Sequence, residues 1–353
     1  MIMLHSHWLR SSPAWAVLLL SLTALPSLAQ GVDRLNDQLA IPPIQEPITP
    51  AHQEAHRLFQ LGQAAQREGD LAKAIQLWRG ALERYRALRD TEAMGVVQEH
   101  LGITYLQLGY FPEADQAFRQ SLAAARDLGH EQRQIYALNN IGTMLLNRSD
   151  PRNAEVTFRQ AVEIARRIGS EAGEGLSLSN LGLALASQGD YSGAIPIYEA
   201  AWVLRRRHQH IGGHAYTLNN MGDAYKALDR HPQAVAEYRL ARWYAQREGD
   251  IRNQFRALQG LAFSYGVMRR WTNAFQALDD WINLARATEN TRLELRGLHL
   301  YAQYHFLLGR GAEARGLYEN AIAVAQTLED PDLVTILRNE LGQVLYRFPP
   351  PRR

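Results

Sequence analysis

The sequence contains no cysteine in its 353 residues and very little lysine. Without cysteine, disulfides, thiolate metal sites and cysteine nucleophiles are excluded. Of the 38 basic residues only Lys73 and Lys226 are lysines, and 36 acidic residues leave a formal net charge of +2. A charge this small and this evenly balanced excludes nucleic-acid binding by phosphate neutralisation.

Long apolar runs are scarce as well, and one lies near the N-terminus at residues 14–25. Arg10 precedes it, no acidic residue occurs before it, and small residues follow it. This pattern is typical of a signal peptide over residues 1–29, cleaved before Gln30. The alternative is an uncleaved anchor, but a run of twelve residues is shorter than the roughly 20 that a spanning helix needs. We expect an exported protein, periplasmic if its source is a bacterium.

Proline is concentrated near the two ends of the remaining chain. Residues 30–51 contain four prolines, which predicts an extended linker. Residues 347–353 contain three consecutive prolines, which predicts a Pro/Arg tail that cannot continue a helix. Residues 52–346 hold only five prolines and are predicted to form the folded part of the chain.

Small residues recur every 40 residues through this central part. The residue directly before the small one is aliphatic in most of the repeats. An alanine follows twelve residues after each of the first seven small residues, and an aromatic or leucine side chain comes four residues later. The small column comprises Gly62, Gly102, Gly142, Gly182, Gly222, Ala262, Ala302 and Gly342, and the alanine column comprises Ala74, Ala114, Ala154, Ala194, Ala234, Ala274 and Ala314. A period of this length indicates a stacked repeat architecture.

Each repeat has two stretches with apolar residues at helical spacing, separated by a breaker such as Gly69-Asp70. The pattern predicts seven helical hairpins and a terminal capping helix, with no strands. We expect the small residues to lie where paired helices cross and the aromatic residues to fill the gap toward the next hairpin. In the terminal helix, Leu337, Leu341 and Leu345 should face the seventh hairpin.

These columns resemble the tetratricopeptide repeat (TPR), in its 40-residue form. The segments at residues 139–165 and 219–241 show the small, apolar, alanine and aromatic positions of that family. The resemblance implies an all-α, right-handed superhelical solenoid whose first helices line a concave groove. It also implies a protein or peptide partner held in that groove.

The groove residues that the resemblance implies lie just before the small column and one turn to either side. An amide both donates and accepts hydrogen bonds, so asparagine can pair with any peptide unit. Toward the C-terminus the same face becomes basic, and arginine favours carboxylates. The arginines of this face are Arg252, Arg256, Arg292 and Arg296, and the alternative is a solvated face whose charges are offset by Glu289, Glu294 and Glu313. The alternative is that the asparagines only join neighbouring helices and fix the repeat register. The candidate peptide-binding residues are Tyr136, Asn139, Asn140, Asn180, Tyr216, Asn219, Asn220, Asp223, Arg256 and Arg296.

One histidine cluster is a candidate metal site. His208, His210 and His214 are spaced so that three imidazoles on a loop could converge on a divalent ion. The alternative is a polar loop beside the basic run at residues 205–207, whose charge opposes a cation. No motif of a hydrolase, metalloprotease or phosphate-binding enzyme occurs, so we expect no catalytic activity.

The leading hypothesis is therefore a non-catalytic scaffold or assembly factor without a cofactor. A second hypothesis follows from the resemblance of an exported all-TPR chain to the periplasmic TPR assembly factors of cyanobacteria that act in photosystem II biogenesis. That resemblance implies a membrane-protein partner and delivery of manganese or another divalent metal. A third hypothesis is a self-associating structural protein.

Overall fold

The computed structural model describes residues 49–207 and 213–349, and over these ranges the chain is all-α. The predicted signal peptide, most of the predicted linker, and residues 208–212 and 350–353 lie outside the described residues. Fifteen helices follow one another along the described chain, which confirms seven hairpins and a terminal helix. They are α1 (Pro50–Arg67), α2 (Leu71–Ala87), α3 (Thr91–Gln107), α4 (Phe111–Asp127), α5 (Glu131–Asn147), α6 (Pro151–Arg167), α7 (Glu171–Ser187), α8 (Tyr191–Arg207), α9 (His214–Ala227), α10 (His231–Glu248), α11 (Ile251–Val267), α12 (Trp271–Ala287), α13 (Thr291–Leu307), α14 (Gly311–Thr327) and α15 (Pro331–Arg347).

The outer helices extend slightly beyond the predicted boundaries. Helix α1 begins at Pro50, inside the predicted linker, because the Thr49 side chain accepts a hydrogen bond from the backbone N–H of His52 and proline fits the first helical turn. At the other end Arg347, assigned above to the tail, is the last residue of α15. Most of the helices have 17 residues, which leaves about three for each turn.

The chain divides into two compact units, Met1–Thr157 and Phe158–Arg353, with the division inside α6. Within unit 1, α1 to α5 pack in chain order, each helix against the next. Within unit 2, α7 to α15 pack in the same way, and the first helices α9 and α11 also lie side by side. The odd-numbered helices α1 to α13 are the first helices of their hairpins.

The alanine column is completely buried in both units, as the prediction required. The aromatic column differs from the prediction, because in four hairpins the ring lies against the glycine of its own hairpin. A Cβ on Gly102 would lie 2.5 Å from Phe118, and one on Gly182 would lie 2.6 Å from Tyr198. Tyr238 meets both Gly222 of its own hairpin and Gly260 of the next. The glycines are therefore needed because an aromatic ring occupies the space where a side chain would be.

Helix α15 packs on α14 through two of the three predicted leucines, and Val344 takes the place of the third. Leu337 and Val344 are buried and Leu341 is partly buried, whereas Leu345 is 37% exposed. The spacing explains the difference, since residues 337, 341 and 344 follow the helical period of 3.6 more closely than residues 337, 341 and 345, which are two steps of four. Among the described residues, no helix combines the length and apolar character needed to cross a bilayer.

Candidate peptide-binding face

Four of the predicted site residues meet in unit 2. Arg256 of α11 donates from Nη2 to Oδ1 of Asn220 and to Oδ2 of Asp223, both at 2.6 Å. Its guanidinium carbon lies 5.8 Å from the centre of the Tyr216 ring. With Asn219, which directly precedes Asn220, these residues form what we call the unit 2 cluster.

The repeat explains why these side chains converge. Tyr216, Asn220 and Asp223 are four and three residues apart on α9, so they share one face of that helix. Arg256 lies 40 residues after Tyr216 and therefore takes the same position on α11. Because α9 and α11 lie side by side, the long arginine side chain reaches back across the gap between them.

Asp223 is the electrostatic centre of the cluster. Burial alone would raise the pKa of Asp223, but Lys226 and Arg256 outweigh that effect and hold it well below its usual value. Lys226 Nζ lies 2.9 Å from Oδ1, and the Tyr238 hydroxyl donates to the same oxygen at 2.6 Å. The carboxylate is therefore ionised at neutral pH, and each of its two oxygens already accepts at least one hydrogen bond.

Three polar atoms of the cluster are buried without a hydrogen-bond partner among the described residues: Oδ1 of Asn219, Nδ2 of Asn220 and Nη1 of Arg256. Asn219 uses its Nδ2 to donate to the backbone and side-chain oxygens of Asn253, at 3.1 and 3.0 Å. Buried polar groups are nearly always hydrogen-bonded, so such atoms require a reason. Asn220 is 2% exposed, whereas the side chains of Arg256 and Asp223 are 22% and 35% exposed. The charged pair therefore forms the accessible edge of the cluster and the amides lie beneath it.

Tyr216 lies deeper than the prediction of ligand stacking assumed. It is 4% exposed, and the Arg256 guanidinium lies near its ring. Stacking of a ligand on Tyr216 stays a prediction, and it would require Arg256 to move. Asn180, on α7, is buried and engaged in interactions of its own.

Arg296 lies at the same repeat position on the next first helix, α13. Burial, followed by repulsion from Arg292, lowers its pKa. Glu294, one of the acids that could offset this basic face, pairs with Arg286 at 2.6 Å. The expectation of a basic surface here therefore has a physical basis in Arg292 and Arg296.

The predicted residues of unit 1 have partners inside the protein. Asn139 donates to the backbone oxygen of Ile135 at 2.8 Å, within its own helix. Asn140 donates to Oε1 of Glu99 at 2.8 Å, and Tyr136 is partly buried. Sequence analysis missed Glu99, although it occupies the column of Asn139 and Asn219 one repeat earlier. Burial raises its pKa to about 7, against the opposing effects of Asn140 and Arg133.

The predicted histidine metal site is described only at His214, because His208 and His210 lie outside the described residues. His214 donates from Nε2 to the backbone oxygen of Arg205 at 3.0 Å, and its Nδ1 lies 3.5 Å from Oε1 of Glu248. Protein oxygen atoms thus lie within 3.5 Å of both ring nitrogens in this conformation. In the described part of the chain no group of three or more His, Asp or Glu side chains could hold a metal ion.

Comparison with known proteins agrees with this architecture. A tetratricopeptide repeat model matches residues 54–127 and 133–202, and a second such model matches residues 295–320. A search of curated proteins found no match.

Several solved structures share the fold at low sequence identity. A STAND ATPase with a tetratricopeptide repeat sensor from Pyrococcus horikoshii is 17% identical, with a TM-score of 0.64 over 95% of this chain and 50% of that one. Aspartyl phosphate phosphatase F from Bacillus subtilis is 15% identical, with a TM-score of 0.58 over 90% of this chain and 77% of that one. A Rap protein complexed with competence and sporulation factor is 14% identical, with a TM-score of 0.52 over 97% and 90%. The repeat columns, the hairpins and the matching family models together establish that this chain is a tetratricopeptide repeat protein.

Proposed function

We propose that this protein is a non-catalytic scaffold that binds an extended segment of a partner protein or peptide at the unit 2 cluster. The observation that carries the proposal is the set of three unpartnered buried atoms on Asn219, Asn220 and Arg256. Two of these atoms are donors and one is an acceptor. A peptide backbone offers both complements at every residue, so a segment that displaces the Arg256 side chain can pair with the amide atoms beneath it.

The accessible edge of the cluster suits such a ligand. Arg256 and Lys226 together carry one more positive charge than Asp223 neutralises, and Arg292 and Arg296 add to the positive charge of unit 2. A segment that carries carboxylates, or a free C-terminus, would therefore be favoured over a basic one here. The Rap protein noted above is complexed with competence and sporulation factor, which supports ligand binding by this fold.

The test is selection of ligands from a random display library of 12-residue peptides on the purified full chain. Affinities of the selected peptides are then measured by fluorescence anisotropy for the wild type and for the double variant Asn219→Ala/Asn220→Ala, which removes both amides that hold unpartnered atoms. Each lost hydrogen bond is worth about 1 kcal/mol, so we expect about a tenfold or greater loss of affinity. Asn140 is left intact in this design because it holds Glu99.

The matched control is Asn283→Ala, which removes an exposed asparagine on α12. It should bind the selected peptides like the wild type, and all variants should retain their helical circular dichroism. Failure to select any peptide, or equal binding by the double variant and the control, would contradict the proposal. Unfolding of the double variant would show instead that the asparagines mainly fix the repeat register.

Export, an assembly role, manganese binding and self-association are tested in separate experiments. Export and an assembly role can be examined by cross-linking the tagged protein in its host and identifying its location and partners. Manganese binding predicts that Mn(II) binds the mature protein and that His208→Ala/His210→Ala weakens the binding; an unchanged titration would refute it. Self-association predicts sedimentation that depends on protein concentration.

A further inference from the structure

Unit 1 contains a carboxyl group that the folded chain does not neutralise. Glu99 is 5% exposed. Among the described residues it has no ion-pair partner, since Arg133, the one cation that affects its pKa, donates to Glu92 at 2.9 Å. A buried carboxylate without a cation is costly, and buried charges are ordinarily paired. The repeat does not require an acid at this position, because every other repeat places a different residue type there, such as Asn139, Ser179 and Gln259.

A second atom beside Glu99 also lacks a partner. Asn140 is fully buried and points its Nδ2 at Glu99 Oε1, which leaves its own Oδ1 without a donor. The amide oxygen and the carboxylate therefore form two adjacent acceptors. Donors carrying a positive charge would satisfy both: the ammonium of lysine has three N–H groups and the guanidinium of arginine has five.

The neighbouring groups do not supply such a donor. On the helix of Glu99, His100 contacts the rings of Phe59 and Trp78, and burial lowers its pKa to about 4, so it is neutral near pH 7. The side chains that α4 places near Gly95 and Gly102 of α3, Ala124 and Phe118, carry no charge. Arg79 of α2 donates to the hydroxyl of Tyr105 at 3.1 Å.

We propose that Glu99 and Asn140 form a subsite for a lysine or arginine side chain of a bound protein segment. The inference rests on the proposed function only in assigning the cation to a protein segment, and it concerns different residues. The bound cation replaces the missing ion pair of Glu99 and donates to Oδ1 of Asn140. Unit 1 thereby selects for positive charge, whereas the unit 2 cluster favours carboxylates.

The experiment uses the full chain and two fluorescein-labelled decapeptides, (Ala-Lys)5 and (Ala-Gln)5, in anisotropy titrations at pH 6 and pH 8. The wild type should bind (Ala-Lys)5 more tightly than (Ala-Gln)5. Because the cation binds the ionised carboxylate and the pKa of Glu99 is about 7, the affinity for (Ala-Lys)5 should rise about tenfold from pH 6 to pH 8. The affinity for (Ala-Gln)5 should not change.

Glu99→Gln keeps the shape and removes the charge, so it should abolish both the preference and its pH dependence. The matched control Glu83→Gln removes an exposed carboxylate from α2 of the same unit and should behave like the wild type. As a readout that needs no variant, saturating (Ala-Lys)5 should lower the pKa of Glu99 measured by carboxyl ¹³C NMR.

Equal binding of the two peptides, absence of (Ala-Lys)5 binding, or the same (Ala-Lys)5 affinity in both glutamine variants would overturn the subsite. The two proposals fail independently. If library-selected peptides lose affinity in the Asn219/Asn220 variant but none depends on Glu99, the subsite alone is refuted. If (Ala-Lys)5 depends on Glu99 but no selected peptide depends on Asn220, the unit 2 proposal alone is refuted.

Discussion

Arg256 and Asp223 lie 33 residues apart in the sequence and form an ion pair of 2.6 Å that joins α9 to α11. Because they belong to successive hairpins, the pair links two repeats as well as forming the accessible edge of the unit 2 cluster. A ligand that draws Arg256 away would therefore also weaken the contact between these repeats. Binding and repeat packing are coupled at this point.

The first prediction concerns the stability that this pair contributes. Asp223→Asn should lower the free energy of unfolding at pH 7 by about 1–2 kcal/mol. This value lies between those for exposed and buried ion pairs, because the side chains of Arg256 and Asp223 are both partly exposed. The pKa of Asp223 is lowered by folding, so its contribution is present above the pKa of about 4 of the unfolded chain and is lost as the pH falls. Urea unfolding at pH 7 and pH 3 measures both effects.

The control for this prediction is a double-mutant cycle with Arg256→Gln. If the two residues act as a pair, the double variant should lose less stability than the sum of the two single variants. Additive losses would show that Asp223 acts mainly through Lys226 and Tyr238, which contact its other oxygen.

A second prediction concerns the pH dependence of stability in unit 1. Folding raises the pKa of Glu99 to about 7, so the native state holds the proton more tightly than the unfolded chain, whose glutamates titrate near 4.3. The free energy of unfolding should therefore fall as the pH rises between these values. Glu99→Gln removes this cost, and its stability relative to the wild type should increase from pH 5 to pH 8 by at most about 3 kcal/mol.

His100 makes the comparison with the variant necessary. Burial lowers its pKa to about 4, so His100 adds stability that is lost as the pH falls below about 6.5. This slope opposes that of Glu99 over part of the range and would mask it in the wild type alone. Since His100 is common to both proteins, it cancels in their difference. A difference that does not change with pH would contradict the raised pKa of Glu99.

A third prediction tests why the small column is glycine. Gly222→Ala should cost about 1–3 kcal/mol, because the new Cβ would lie 2.7 Å from the Tyr238 ring, which is completely buried. Gly316→Ala is the matched control on α14, where a Cβ would meet nothing within 4 Å. It should instead stabilise the helix by about 0.5–1 kcal/mol. Thermal unfolding of the two variants should therefore shift in opposite directions.

The fold was predictable from the sequence because every repeat must bury the same face against its neighbours. One period of 40 residues therefore determined the number of helices, their order and the burial of the alanine column. The face of α15 was predicted less well, since a terminal helix has only one neighbour and a spacing of four residues misplaced Leu345. A repeat pattern predicts the burial of a residue only where each repeat packs against a neighbour in the same way.

The sequence predicted which helices carry the residues of the candidate site, but it did not predict the contacts between their side chains. Repeat alignment placed Asn220, Asp223 and Arg256 on first helices, and the structure brings them together. The alignment of the repeats could not show that Arg256 lies near Tyr216 or that Asn140 donates a hydrogen bond to Glu99. These contacts join unlike side chains of successive repeats. Glu99 was detectable only as an exception, because it is the one acid in a column that elsewhere holds Phe59, Asn139, Ser179, Asn219, Gln259, His299 and Asn339.

The last prediction concerns the turns between helices, where the backbone adopts positive φ. Several turns use glycine for this, such as Gly309 with a φ of 74°, but Arg269 adopts a φ of 56° with a side chain. The left-handed conformation costs a residue with a Cβ about 1 kcal/mol or more, whereas glycine adopts it freely. Arg269→Gly should therefore raise the melting temperature, with a gain reduced by the greater freedom of glycine in the unfolded chain. Gly309→Ala is the converse change in the same unit and should lower the melting temperature. The same melting temperature for both variants would show that these turns are not strained.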